Sequence, residues 1–290
     1  MERRTFLGGM GALAASAATA RVPAAFGGTR LREAVAGLEK TTGGRTGVAI
    51  LDTATGARFA WRGAERFPMC STFKFVLAGA ILSRVDAGRD RLDRAVPVAA
   101  RDIVPNSPLT ATRVGATATV AELCSATVGQ SDNAAANLLL AAVGGPAGLT
   151  RFVRGIGDRA TRLDRTEPAL NSAIPGDPRD TTTPEAMAAT LRSLTLGTVL
   201  KPASRAQLVV WMTAATTGTG RLRAGLSVVW RVADKTGAGE NGTDNIVALL
   251  WPPSRSRPLL VASYITASPL PLAETNAVHA ALARAIAAAV

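Results

Sequence analysis

The sequence predicts a mixed α/β protein of the α+β kind. One antiparallel sheet is fed by both ends of the chain and flanked by terminal helices, with an all-helical lobe inserted between its strands. Three observations predict it. A β-hairpin pattern stands early, in "TGVAILDTATGARFAWRG". Three β-like runs crowd the last third: "SVVWRVADKTG", "NIVALLWPP" and "PLLVASYIT". Between them, from Ser71 to about Ala215, the apolar spacing is helical with Gly and Pro breaks. At 290 residues and 47% hydrophobic, the chain can bury a sizeable core as one large domain or two lobes.

In chain order, "MERRTFLGGMGALAASAATARVPAAFGG" has paired arginines, a short Gly-rich apolar stretch and Ala-rich candidate cleavage sites. That pattern predicts a twin-arginine export signal over residues 1–25, giving a periplasmic or secreted protein. Cleavage near Ala25 removes three Arg and one Glu, taking the charge from +12 to +10. No Cys precedes Cys70, so no lipid anchor is expected, and nothing later is long and apolar enough for a helical span. "TRLREAVAGLEKTT" then puts Leu31, Val35 and Leu38 on one helix face, and the hairpin turns at "TATG". Helices are expected over 71–86, 118–129, 132–143, 146–155, 184–196, 203–215 and about 272–289. The Pro-rich segment "RLDRTEPALNSAIPGDPRDTTTP" is long enough to be either a working Ω-loop or a linker. The expected division is an α/β lobe from 26–66 plus 216–290 and a helical lobe 67–215 that includes loop 162–183.

Composition excludes several function classes. The single histidine, His279, lies in "NAVHAALARAIAAAV", read as a surface helix with no motif around it. A Ser–His–Asp triad or a His-based zinc site would have to use that one residue, so neither is expected, and no metal or cofactor is assigned. The net charge of +12 raises nucleic acid as a partner, but the arginines are scattered and aromatics make up only 4%. An Arg-rich soluble surface, without nucleic acid or membrane insertion, is the reading adopted. Cys70 and Cys124 both stand in apolar contexts and are read as free thiols.

Four sets of polar residues do not fit their surroundings. "PMCSTFKFVLAGAILSRV" places Ser71 and Lys74 three apart at the front of a helix without a polar face. Such a helix is buried, and a buried lysine is expensive unless partnered. A Ser at a helix N-terminus can be a nucleophile whose own N–H helps hold an oxyanion. Lys74 would lie beside its hydroxyl, its ammonium disfavoured by burial. The alternative is a capping Ser and a snorkelling Lys. "SDN", Ser131 to Asn133, precedes an apolar run and reads alone as a helix cap. "KTG", Lys235 to Gly237, ends a β-like run, where a Lys is usually an edge gatekeeper. Glu167 and Asn171 stand four apart in the Pro-rich loop.

Each signal is weak alone, but their order and local contexts are not. S-x-x-K, S-D-N and K-T-G together mark class A β-lactamases and penicillin-binding proteins. From about Arg30 to Ala289 the chain resembles a class A serine β-lactamase, through "STFK", "SDN", "EPALN" and "DKTGAGE", with "EPALN" pointing to class A in particular. The resemblance implies the β-lactamase/D,D-peptidase-like fold, with the active site between the lobes. It implies a β-lactam substrate, hydrolysis with water, antibiotic resistance and a monomer. Ser71 would be the nucleophile, and the N–H groups of Ser71 and Ala238 the oxyanion hole. Lys74, or Glu167 through a water, would be the acylation base. Glu167 and Asn171 would activate the deacylating water. Ser131 would pass a proton to the leaving nitrogen, and Asn133 would bind the substrate's acylamide. Lys235, Thr236 and Gly237 would line the substrate-carboxylate pocket.

The sequence departs from the family pattern in places. Asp244 stands where many members carry a carboxylate-binding Arg, and Arg221 in "TTGTGRLRAG" matches an alternative Arg. Asn106 in "VPNSP" occupies a wall position that is often aromatic. Cys124 and Cys70 each match half of a family disulfide, but the partner positions are Ala78 and Gly239, so neither bridge is expected. Two rivals are a penicillin-binding D,D-peptidase and a non-catalytic β-lactam sensor. Glu167 and Asn171 weigh against the first, and a cleavable rather than tethering N-terminal segment weighs against the second.

Overall fold

A computed structural model describes Met1 and residues 25–253 and 255–290. Almost all of the predicted export signal therefore lies outside the described residues. The chain enters through α1 (Gly28–Thr42), whose Leu31 and Val35 are buried. The hairpin follows as β1 (Arg45–Asp52) and β2 (Arg58–Trp61), then the short β3 (Phe67–Pro68). Next come α2 (Phe73–Asp86), β4 (Ala95–Pro97), β5 (Thr117–Thr119), α3 (Val120–Gly129), α4 (Asn133–Ala142) and α5 (Gly145–Gly155). A long loop leads to β6 (Thr181–Thr182), α6 (Pro184–Thr195) and α7 (Pro202–Thr213). The chain closes with β7 (Arg231–Gly239), β8 (Thr243–Trp251), β9 (Leu259–Thr266) and α8 (Leu272–Ala287).

Five strands form an antiparallel sheet in the order β2-β1-β9-β8-β7, so strands from both ends of the chain meet at β1–β9. Strand alternation builds two cores. Val48, Ile50, Ile246, Ala248, Leu250 and Val261 face Leu31, Val35, Leu282 and Ile286 of α1 and α8. Ala49, Leu51, Val247, Leu249, Leu260 and Tyr264 face the opposite core, which includes α2 residues such as Phe75, Leu77 and Ile81. Both faces being covered, β8 and β9 are buried at every position. This is why residues 246–251 of β8 and 259–262 of β9 read as apolar runs.

Two helices start where expected, α6 at Pro184 and α8 at Leu272, and the other starts differ by one or two residues. The predicted 118–129 helix starts at Val120 because Thr119 is its N-cap, bonded reciprocally with Glu122. Asp132 caps α4, accepting from the Ala135 N–H at 2.9 Å, and Thr183 caps α6. The 71–86 helix begins only at Phe73, Ser71 lying in a 3-10 turn, Cys70–Thr72. Four short strands, β3 to β6, fall inside the predicted helical lobe 67–215; at two or three residues they are too short to show a period. The run from Ser227 joins the sheet only at Arg231, and Val228 and Val229 are exposed because no layer faces them.

His279 requires a correction. It was expected on a surface helix, but it is fully buried where α8 packs on the sheet. Its Nδ1 lies 3.2 Å from Ser263 Oγ and its Nε2 3.3 Å from the Asp244 carbonyl. Burial holds its pKa below the usual imidazole value, partly offset by the Asp244 charge. The alanines around it gave no sign of which face packs inward.

Candidate active site

Ser71 sits where the chain turns from β3 into α2. Cys70 has φ 45°, a left-handed conformation rare for a non-glycine residue. Asn106 and Ser131, both at φ 60°, share that conformation, and such sparsely populated backbone clusters at functional sites. The edge strand β7 presses closely on the Ser71 turn. A Cβ added at Gly237 would lie 2.8 Å from the Met69 carbonyl and 3.1 Å from the Ser71 N, so glycine alone permits the approach. Ala238 follows on the same strand, paired with Asp244 of β8. Asn245 Nδ2 donates to the Pro68 and Met69 carbonyls at 2.9 and 3.2 Å, tying β8 to the same turn.

Lys74 is fully buried and richly partnered. Its Nζ donates to the Ser131 carbonyl at 2.8 Å, Ser131 Oγ at 3.2 Å and Asn133 Oδ1 at 2.5 Å. Glu167 Oε1 lies 3.0 Å away, both side chains having no exposure. Burial lowers the Lys74 pKa, with Glu167 pulling the other way. The snorkelling alternative is thus excluded, since no part of the ammonium reaches water. The expected neighbour relation is modified, however. Ser71 Oγ donates to Glu167 Oε1 at 3.2 Å, and Lys74 reaches the serine through that shared oxygen.

Glu167 comes from the Pro-rich segment, an ordered loop and not a linker. Asp180, buried at its end, accepts from the Asp164 and Arg165 N–H groups at 2.7 and 2.9 Å and from Arg165 Nε at 2.6 Å. Asn171 Nδ2, in the 3-10 turn Ala169–Ser172 that follows Glu167, donates to Glu167 Oε2 at 2.5 Å. Asn137 grips the Glu167 backbone from α4: its Nδ2 donates to the Glu167 carbonyl at 2.9 Å, and its Oδ1 accepts from the Glu167 N–H at 3.0 Å. The sequence reading missed Asn137, although an amide inside "AAANLLLAAV" was the available signal.

Ser131 and Asn133 flank the Asp132 cap, which also accepts from Thr110 Oγ1 at 2.8 Å and so fixes the neighbouring loop. Asn106 Nδ2 donates to the Ser131 carbonyl at 2.9 Å, and Asn133 Nδ2 to the Pro105 carbonyl at 2.8 Å. From the opposite side, Lys235 Nζ donates to Ser131 Oγ at 3.1 Å. Lys235 is buried within an edge strand, not a solvated gatekeeper. Burial, then the Lys74 and Arg221 charges, push its pKa well down. Thr236 Oγ1 lies 2.7 Å from Thr217 Oγ1, another residue the sequence reading did not single out. Arg221 is buried and lies 2.6 Å from Asp244 Oδ1.

Ser131 Oγ therefore stands between two buried lysines, and the Ser71 hydroxyl faces a buried carboxylate. Such a set can deprotonate a serine, hold an anion and return a proton to a leaving group. No cluster of potential metal ligands occurs among the described residues. Size does not identify this site. A cavity of about 1100 Å³ lies elsewhere, between β1–β2 and α6, and none of these polar groups lines it. Cys70 and Cys124 are buried free thiols, both pushed up by burial.

Comparison with known proteins agrees with the geometry. The model of the β-lactamase enzyme family matches residues 30–290. The β-lactamase CTX-M-8 of Citrobacter amalonaticus is 49% identical over 236 residues, 81% of each chain. The β-lactamase L2 of Stenotrophomonas maltophilia is 49% identical over 249 residues, 86% of this chain and 82% of that one. Among solved structures, an ancestral class A β-lactamase superposes with TM-score 0.88 at 59% identity, covering 90% of this chain and 100% of that one. With a serine, two lysines and a glutamate converging as the motifs require, the chain belongs to the β-lactamase enzyme family, as a class A serine β-lactamase.

Proposed function

We propose that this β-lactamase opens the lactam ring of penicillins and cephalosporins through an acyl-enzyme on Ser71. Hydrolysis of the ring destroys the antibiotic and confers resistance. The observation that carries the assignment is the buried cluster in which Ser71 donates to Glu167 while Lys74 touches both Glu167 and Ser131.

In acylation, Ser71 Oγ loses its proton and bonds to the lactam carbonyl carbon. That proton goes to Lys74 or to Glu167, whose Oε1 accepts the hydroxyl's hydrogen bond at rest and lies 3.0 Å from the Lys74 nitrogen. The carbonyl electrons move to the oxygen, held by the Ser71 and Ala238 N–H groups, and return as the carbon–nitrogen bond breaks. Ser131 gives the nitrogen its proton and is reprotonated through Lys74, 3.2 Å from its hydroxyl, with the proton taken from Ser71, which leaves Glu167 ionised for the next step. In deacylation, Glu167, oriented by Asn171, takes a proton from water. The hydroxide attacks the ester carbon, and Ser71 Oγ leaves and recovers its proton. Lys235, Thr236, Gly237 and Arg221 hold the substrate carboxylate, and Asn133 and Asn106 line the acylamide side of the pocket.

The leader over residues 1–25 is read as an export signal from its paired arginines, and the mature protein as a monomer. No single helix among the described residues is long and apolar enough to cross a membrane.

Intact-protein mass spectrometry after mixing with benzylpenicillin, from milliseconds to minutes, tests the proposal. One penicillin mass should appear on the protein and vanish as hydrolysed drug accumulates. A persistent adduct would indicate a D,D-peptidase or a sensor, and no adduct would remove Ser71 as nucleophile.

A further inference from the structure

Asp244 stands on β8, paired across the sheet edge with Ala238. Its carboxylate is 1% exposed and is the one acid in ion-pair contact with Arg221 among the described residues. The contact is 2.6 Å, close but not aligned as a hydrogen bond, and Arg221 Nε is buried without an acceptor. The guanidinium is therefore anchored by charge while keeping donor capacity unspent. The carboxylate is itself fixed from α8. Thr275 Oγ1 donates to Asp244 Oδ2 at 2.8 Å, and His279 Nε2 lies 3.7 Å from the same oxygen and 3.3 Å from the Asp244 backbone carbonyl.

An anchor is needed because Arg221 is buried in a cationic neighbourhood. The charge on Lys235 is disfavoured first by burial, then by Lys74 and Arg221. A buried guanidinium whose charge opposes that of the buried Lys235 would otherwise be driven towards solvent. Arg221 is only 5% exposed, so something must hold it.

We propose that Asp244, held by Thr275 and His279, is the positioning residue that keeps Arg221 inside the pocket and thereby sets affinity for the substrate carboxylate. This rests on the assignment of Arg221 as a carboxylate-binding residue. Asp244 touches no substrate; it acts through Arg221.

The test compares benzylpenicillin with its methyl ester, which lacks the carboxylate charge, in Asp244→Asn, Arg221→Ala and the double variant. Asp244→Asn keeps the shape and can still accept from Thr275. It should raise KM for the acid about tenfold, as for loss of one charged contact, with little change in kcat. KM for the ester should be unchanged, and the Asn substitution should have no added effect in the Arg221→Ala background. Thr275→Val should shift KM for the acid in the same direction by less, and it covers the case in which Asp244→Asn folds poorly. An Asp244→Asn variant with parental KM, or with equal effects on acid and ester, or with its full effect retained without Arg221, would overturn the proposal. If Arg221→Ala discriminates acid from ester but Asp244→Asn does not, only the anchor role fails. If Arg221→Ala does not discriminate, the carboxylate assignment falls and the anchor role falls with it.

Discussion

Glu167 Oε1 lies between Ser71 and Lys74, 3.2 Å from the serine hydroxyl and 3.0 Å from the ammonium nitrogen. One carboxylate oxygen thus serves the nucleophile and compensates the buried cation. Any change at Glu167 acts on both.

Glu167→Ala should still accept penicillin on Ser71, where Lys74 remains to take the hydroxyl proton, and stall there. A general base contributes roughly 10²–10⁴-fold, so turnover should fall by that range and the adduct should persist in the mass spectrum. Turnover at the parental rate would show that another group activates the water.

Asn137 contributes two hydrogen bonds to the Glu167 backbone and none to the proposed reacting groups. Asn137→Ala should cost about 2 kcal/mol of stability for the two bonds. It should also slow deacylation more than acylation, because the loop then holds the base less well. Thermal denaturation and rapid-quench rates check the two effects separately. Equal slowing of both steps would place the residue elsewhere in the mechanism.

The pH profile should report Lys235. Burial and the Lys74 and Arg221 charges lower its pKa well below the ordinary lysine value of 10.5. Its positive charge is therefore lost as pH rises through that lowered value. KM for carboxylate-bearing substrates should climb on the alkaline side below pH 10.5. Lys235→Arg should move that limb upward, since a guanidinium stays protonated. A KM that stays flat up to the ordinary lysine range would contradict the assignment.

Cys70 and Gly239 are close enough for a crosslink: a Cβ built on Gly239 would lie 2.6 Å from Cys70 Sγ. The parent should show two thiols after denaturation, Cys70 and Cys124. Oxidised Gly239→Cys should show one, and gain about 2–4 kcal/mol from the long closed loop. The same Cβ would meet the Asn171 carbonyl at 2.5 Å, so the loop has to give way and deacylation should slow. Three thiols after air oxidation would show that the turn cannot accommodate the bond.

Much of the fold was legible because its elements carry strong local signals. The hairpin over β1–β2, the apolar strands β8 and β9, and the capped helices α3, α4 and α6 were all readable from period and punctuation. The inward face of α8 was not, because an alanine-rich helix has little amphipathic contrast; His279 was misplaced for that reason. The motifs located Ser71, Lys74, Ser131, Glu167, Asn171 and Lys235. Asn137 was missed because its role is to hold a backbone that arrives from 30 residues away.

The sequence by itself determined which groups are available: one serine and lysine at a helix start, a second lysine on a strand, a glutamate in a loop and no usable histidine. Local chemistry sets these, since capping, burial patterning and residue type act over a few neighbours. Only the tertiary structure decided their partners. It aimed Ser71 at Glu167 and set Ser131 between two lysines. It also paired Arg221 with the acid that stands where an arginine was expected. Such choices depend on charges compensating one another across the interior, and that compensation exists only once distant segments share the same buried volume.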